Sequence, residues 1–247
     1  MTHYTHKIVT GFTSLILICF LSTPLFSQTV EIIQSNDYTT EKPGNDFAYI
    51  VDKVDTSRLQ FVARYKSLGK GKESSVQYLY YSILHSAKAK GANSFKLLNY
   101  YVNEKMDEAY LILDTYFSVD SILSENYNLS EKNVVYIFGG KIERGNNVYS
   151  FKVNNEKKQL SSGFYCKLNI NEGEEIKINK GGITGESRII KGTKNKGAVF
   201  ISLGGFGLDG ASSSWGTGSV LISTGRIEKL DSDFGLVLTS ILKPMKY

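Results

Sequence analysis

Histidine and cysteine are nearly missing from this 247-residue chain, and so is a second long apolar run. The chain has three histidines and two cysteines, and His3, His6 and Cys19 all fall within the first 28 residues. Beyond that point stand only His85 and Cys166. A single thiol cannot close an internal disulfide, so stability has to come from a packed core. His85 has no second histidine or cysteine near it in the chain with which to share a metal. His85 also lacks a carboxylate three or four positions away in the chain. Its reference pKa of about 6.5 would suit proton transfer. Without a partner it reads as a structural or surface residue.

Charge excludes one class. The formal net charge of +5 comes from basic and acidic residues that are interspersed. Nucleic-acid binders concentrate positive charge in a patch, so nucleic acid is not an expected partner.

The one long apolar run goes from Ile8 to Phe26, is preceded by Lys7 and ends at Ser27-Gln28. It is interrupted by Thr, Ser, Gly and Pro, and a membrane-spanning helix needs ~20 mostly apolar residues. A basic start, an apolar middle and a small residue at the end form the pattern of a secretory signal peptide. Residues 1–27 are expected to direct export to the periplasm, cell envelope or medium and then to be removed. That leaves 220 residues, a net charge of +4 and no transmembrane segment. Cys19 follows Ile18, where lipoprotein acylation wants a small residue, so it reads as filler.

Two modules follow from the pattern, giving an α+β fold class. After a leader to about Asp55, Leu59 to Tyr65 alternates with period two and reads as a strand. Ser67 to Lys72 reads as a loop. Glu73 to Lys90 reads as a helix, with Val76, Leu79, Tyr80, Ile83, Leu84 and Ala87 on one stripe. Lys88 and Lys90 favour its last turn and Gly91 caps it. Tyr78 and Tyr81 lie off the stripe and are free to face a neighbouring unit. Ser94–Val102 and Ala109–Val119 read as a hairpin around Asn103–Glu108. The first module is therefore a small β-α-β-β unit over residues 28–119. The polar stretch 120–132 reads as a linker. From residue 133 to 247 short strands recur: Val134–Phe138, Val148–Val153, Phe164–Ile170, Glu175–Ile178, Ser187–Ile190, Ala198–Leu203, Ser219–Thr224 and Gly235–Leu242. Their spacing predicts an all-β, sandwich-like module without helices.

Within the second module, Val135-Tyr136-Ile137-Phe138 opens, Val148–Val153 follows, and Gly163-Phe164-Tyr165 starts a further strand. Glu172-Gly173 turns into Ile176-Lys177-Ile178, and Gly197-Ala198-Val199-Phe200 closes. On these features residues 133 to about 203 resemble the bacterial family catalogued as domain of unknown function 2846, a PEGA-like β-sandwich. The arginine that often ends the family's opening strand is Gly139 here. The resemblance implies a fold and an envelope setting, and no catalytic residues.

Candidate chemistry is sparse. Cys166 shares a parity with Phe164, Leu168 and Ile170, which places its thiol on an apolar face, inert. The glycine-rich stretches Gly181–Gly185, Gly192–Gly197 and Gly204–Gly210 are not followed by a helical pattern, so they read as turns and not phosphate loops. Asp231-Ser232-Asp233 lacks the evenly spaced oxygen ligands of a calcium loop and reads as a turn. The segment Gly204 to Gly218 holds the only tryptophan, Trp215, after Ser213 and Ser214. Long loops are often functional, and an exposed indole stacks on sugars or anchors a protein partner. These three residues are the candidate ligand contacts. No cofactor or metal is expected. The leading expectation is a non-enzymatic interaction or structural protein whose partner is an envelope protein or glycan. A carbohydrate-binding module using the Trp215 loop is the alternative. A hydrolase with an unrecognised site stays open.

Overall fold

The computed structural model describes residues 29–36, 46–140, 147–181, 185–204, 206 and 226–246. Residues 1–28, the expected strand Ser219–Thr224 and residues 207–218 of the Trp215 loop lie outside them. The described residues form three sheets and three helices, mostly strand, in an α+β arrangement.

The first half contributes β1 (Thr29–Ser35), β2 (Ala48–Tyr49), β3 (Gln60–Lys70), α1 (Val76–Ala89), β4 (Ser94–Val102) and β5 (Glu108–Phe117). The sheet order is β1-β3-β5-β4-β2. The leader therefore supplies two edge strands that its polar composition does not announce. The expected loop at Ser67–Lys72 is partly strand, because Ser67 and Gly69 face the core in alternation with Lys66 and Leu68. α1 begins where Ser75 accepts from the Tyr78 N–H and ends before Gly91, whose φ of +89° fits the expected left-handed cap. Its stripe of Val76, Leu79, Tyr80, Ile83 and Ala87 is buried. The hairpin loop closes on Asn103, whose side-chain oxygen accepts from the Asp107 and Glu108 amides.

The polar stretch expected as a linker instead contains helix α2 (Asp120–Leu129). Ile122 and Asn126 are its buried residues, and Ile122 packs with Ile50, Val54, Leu59 and Tyr116 in a small core beneath the first sheet.

The remaining strands are β6 (Val134–Phe138), β7 (Val148–Val153), β8 (Glu156–Ser161), β9 (Phe164–Asn169), β10 (Glu175–Lys180), β11 (Glu186–Lys191), β12 (Val199–Ser202), β13 (Glu228–Lys229) and β14 (Lys243–Pro244). They make a sheet of order β11-β10-β7-β8 and another of order β13-β12-β6-β9-β14. The first of these pairs is antiparallel throughout; the second contains the parallel pairs β12/β6 and β14/β9. Val135, Ile137, Cys166 and Ile201 of one meet Phe151, Val153, Ile176 and Ile178 of the other in a shared core. Cys166 lies inside that core, on the face its parity indicates.

The helix-free expectation for this half is overturned. Asp231 caps helix α3 (Ser232–Ile241), and Gly235–Leu242, expected as a strand, belongs to it up to Ile241. Phe234, Val237 and Leu238 recur at helical spacing and are buried. They fill the space between the first half and the outer face of β6 and β12. There Val134, Tyr136, Phe138 and Phe200 join Tyr80, Phe95 and Leu113 in one core. β6 is consequently buried along its whole length.

Gly235 sets how closely α3 approaches that sheet. A Cβ at this position would lie 2.3 Å from Cγ of Phe200. Gly235→Ala should therefore destabilise the protein by about 1–3 kcal/mol, the usual cost of overpacking a filled core. Urea unfolding measures this; an unchanged or raised midpoint would mean the helix has room to move.

Candidate functional site: a tyrosine-lined cleft

The sequence candidates do not converge in the described residues. Trp215, Ser213 and Ser214 lie outside them. His85 is exposed on α1, and Cys166 is enclosed in the sandwich. Asp231 and Asp233 start a helix: Oδ1 of Asp231 accepts from the Asp233 and Phe234 amides at 3.0 and 3.2 Å.

What the packing does form is a cleft of about 730 Å³ where α1, β2, α2, β12 and α3 meet. Its aromatic lining comprises Phe47, Tyr49, Tyr80, Tyr81, Tyr127, Tyr136 and Phe200. Its charged lining is acidic: Asp46, Asp52, Glu131, Asp231 and Asp233 against Lys53 and Lys88. A net −3 thus sits in a chain whose formal charge is +5.

Hydrogen bonds across the cleft hold its walls in place. Oδ1 of Asp233 accepts from the Tyr49 N–H at 2.7 Å, tying α3 to β2. Tyr49 Oη and Ser240 Oγ lie 3.2 Å apart and reinforce that contact. Asn126 accepts from the Val51 N–H at 2.8 Å and donates to the Tyr49 carbonyl at 2.9 Å, tying α2 to the same segment. Glu131 takes Lys167 at 2.6 Å and the hydroxyl of Tyr136. Asp52 pairs with Lys96 at 3.2 Å.

Burial pushes the phenols of Tyr49, Tyr80, Tyr81 and Tyr136 up, and nearby carboxylates add to this at Tyr80, Tyr81 and Tyr136. They remain neutral donors with intact aromatic faces. For Glu131, burial pulls upward, but hydrogen bonds from Lys167 and Tyr136 outweigh it and hold the carboxyl below its usual value. Asp233 goes the other way. Burial, with the charges of Asp231 and Asp46, pushes it up to about 6, against the Tyr49 N–H and Lys88, which lower it.

The two exposed rings differ. Tyr127 donates from its hydroxyl to the Asn195 carbonyl, and the ammonium of Lys132 covers one of its faces at 3.3 Å. Tyr81 is 41% exposed, is braced edge-on by Tyr80 and lies near Phe234 at 6.0 Å. It is the ring best placed to stack on a ligand. Its position off the α1 stripe was the one sequence signal for this site; the rest converges from separate segments. No family model matches the chain, and neither a curated protein nor a solved structure does.

The Asp233 shift has a consequence for stability. Its folded pKa of about 6 lies above the ordinary 3.8, so the folded state holds the proton more tightly. Stability then falls as pH rises through the window between these values. Asparagine accepts the same amide without ionising. The stability of Asp233→Asn relative to the parent should rise by about 1–3 kcal/mol between about pH 4 and pH 7, since one unit corresponds to 1.36 kcal/mol. Urea unfolding across that range is the measurement. A difference independent of pH would contradict the burial of this carboxyl.

Proposed function

We propose that this protein is an exported, non-enzymatic binding protein of the cell envelope that takes a glycan or similar polyhydroxylated ligand in the tyrosine-lined cleft. The observation that carries this reading is the half-open ring of Tyr81 in a cleft shared with the exposed carboxylates Asp46 and Asp231. Aromatic faces stack on the apolar faces of sugar rings, and carboxylates accept from hydroxyls. A binding role, as against catalysis, is supported by the occupations of the other carboxylates. Asp233 holds an amide, Glu131 a lysine and a phenol, and Asp52 a lysine. The Trp215 loop with Ser213 and Ser214 belongs to the proposal as a second contact. The PEGA-like resemblance of residues 133–203 is the sequence support for the envelope setting. Among the described residues no helix is long and apolar enough to cross a membrane.

Export is tested by intact-mass measurement on secreted material, which should begin near Gln28. Full-length protein held in the membrane fraction would overturn it. Binding is tested on a glycan array with the parent, Tyr81→Ala and Trp215→Ala. Tyr81→Ala should weaken binding by about tenfold or more, as expected for loss of an aromatic anchor. Binding indifferent to Tyr81→Ala removes the cleft from the proposal. Turnover of a glycan that Asp233→Asn abolishes would make the protein an enzyme.

A further inference from the structure

The outer face of the sheet β11-β10-β7-β8 combines exposed lysines with exposed apolar side chains. Along β7, Tyr149, Phe151 and Val153 pack into the sandwich core, which turns Val148, Ser150 and Lys152 outward. The register places Lys152 directly opposite Lys157 on β8 and opposite Asn179 on β10. Lys177 lies two residues from Asn179 on the same side, so it is diagonal to Lys152. Like charges facing each other across strands repel at a separation of about 5 Å between Cβ atoms. An arrangement that costs stability in the free protein, with no local remedy, points to a function outside it.

No local remedy is visible. The ion pairs on this sheet join Lys158 to Glu156, Arg188 to Glu186 and Lys191 to Glu175. Lys152, Lys157 and Lys177 are all exposed and have no acidic partner among the described residues. Around them the face offers side-chain donors. A hollow of about 590 Å³ is lined by Ser150, Lys152, Lys157, Gln159 and Asn179 among others. The second observation is apolar. Of the large hydrophobic side chains in the described residues, Ile189 at 64% and Val148 at 53% are the two most exposed. Both belong to this face: Ile189 is opposite Lys177, and Val148 is four residues before Lys152 on the same side of β7.

We infer that this face docks the protein on an anionic membrane, with Lys152, Lys157 and Lys177 on lipid phosphates and Ile189 and Val148 at the acyl boundary. Charge complementarity selects a polyanion, since each lysine near an anionic leaflet gains attraction that depends on salt. Ile189 beside Lys177 and Val148 at the far end of β7 flank the lysines, and apolar side chains at both ends of a basic face favour a lipid surface over a soluble polyanion, which offers nothing for them to enter. The inference stands apart from the tyrosine-lined cleft, which uses other strands.

Co-sedimentation of the purified protein with vesicles tests it, using phosphatidylcholine alone and phosphatidylcholine with about 30% phosphatidylglycerol. The parent should bind the anionic vesicles at about 0.05 M salt and be largely released at about 0.5 M. The combined variant Lys152→Gln, Lys157→Gln, Lys177→Gln should bind about a hundredfold more weakly. Because it removes like-charge pairs at exposed positions, its melting temperature should be unchanged or higher, which separates lost docking from lost fold. Ile189→Ser with Val148→Ser should weaken binding severalfold with the salt dependence intact. Tyr81→Ala should bind vesicles like the parent, so failure of the glycan proposal leaves this one standing, and the reverse. Equal binding to neutral and anionic vesicles overturns the inference, as does binding that the triple variant retains. Capture by soluble polygalacturonate without any vesicle binding also overturns it and assigns the face to acidic polysaccharide.

Discussion

The packing of α3 between the two halves is the constraint on which the rest of the molecule depends. Phe234 lies within ring contact of Tyr80 on α1 and of Phe206, and Gly235 lies against Phe200 on β12. One short helix thus supplies a wall to the first half's core and covers the outer face of the third sheet. Burying apolar area is worth roughly 25 cal/mol per Å². Aromatic rings at this density therefore outweigh whatever preference the residues of α3 have for a strand. With the sandwich core on its other face, the third sheet is enclosed, and its opening strand β6 is apolar at every position from Val134 to Phe138.

The cleft follows from the same joint. Where α3 meets β2 and α2, hydrogen bonds cross between elements whose shared lining is otherwise rich in aromatic rings. Asp233 and Asn126 hold opposite sides of the Tyr49–Val51 segment. Their side chains are spent on the backbone, which leaves Tyr81, Asp46 and the second carboxylate oxygen of Asp231 beside the open space. A site of this kind is rigid at its base and unencumbered at its mouth, and binding is favoured when the receptor is already organised.

Period-two alternation made much of the strand content legible. Val134–Phe138 and Val148–Val153 match their expected limits, and the parity of Cys166 places it inside, as it is. The helix α1 was legible because its stripe, the lysines of its last turn and Gly91 agree with one another, although its start lies at Val76 and not at Glu73. Of the elements that were not, three show why. β8 reads Glu-Lys-Lys-Gln-Leu-Ser and is an edge strand with little buried, so it has almost no apolar signature. α2 buries only Ile122 and Asn126, and a buried asparagine counts as polar in any hydropathy pattern. α3 contains a valine, a threonine and an isoleucine in ten residues, which favour strand, and a glycine, which disfavours helix; its cap at Asp231 and the spacing of Phe234, Val237 and Leu238 were the outweighed signals. The cleft was legible only through Tyr81, because its other members are distant in sequence and each has an ordinary local context.

The amide of Tyr49 and the carboxyl of Asp233 are 184 residues apart in the chain. During synthesis the rings of Tyr80 and Tyr81 would be made long before Phe234 emerges to meet them. Contacts of such long range close late and slow the search for the native state. The ring of Tyr80 therefore has no Phe234 over it until the chain has grown past residue 234. The seam that gives the finished molecule its cleft is thus also what delays its folding until nearly the whole chain has emerged.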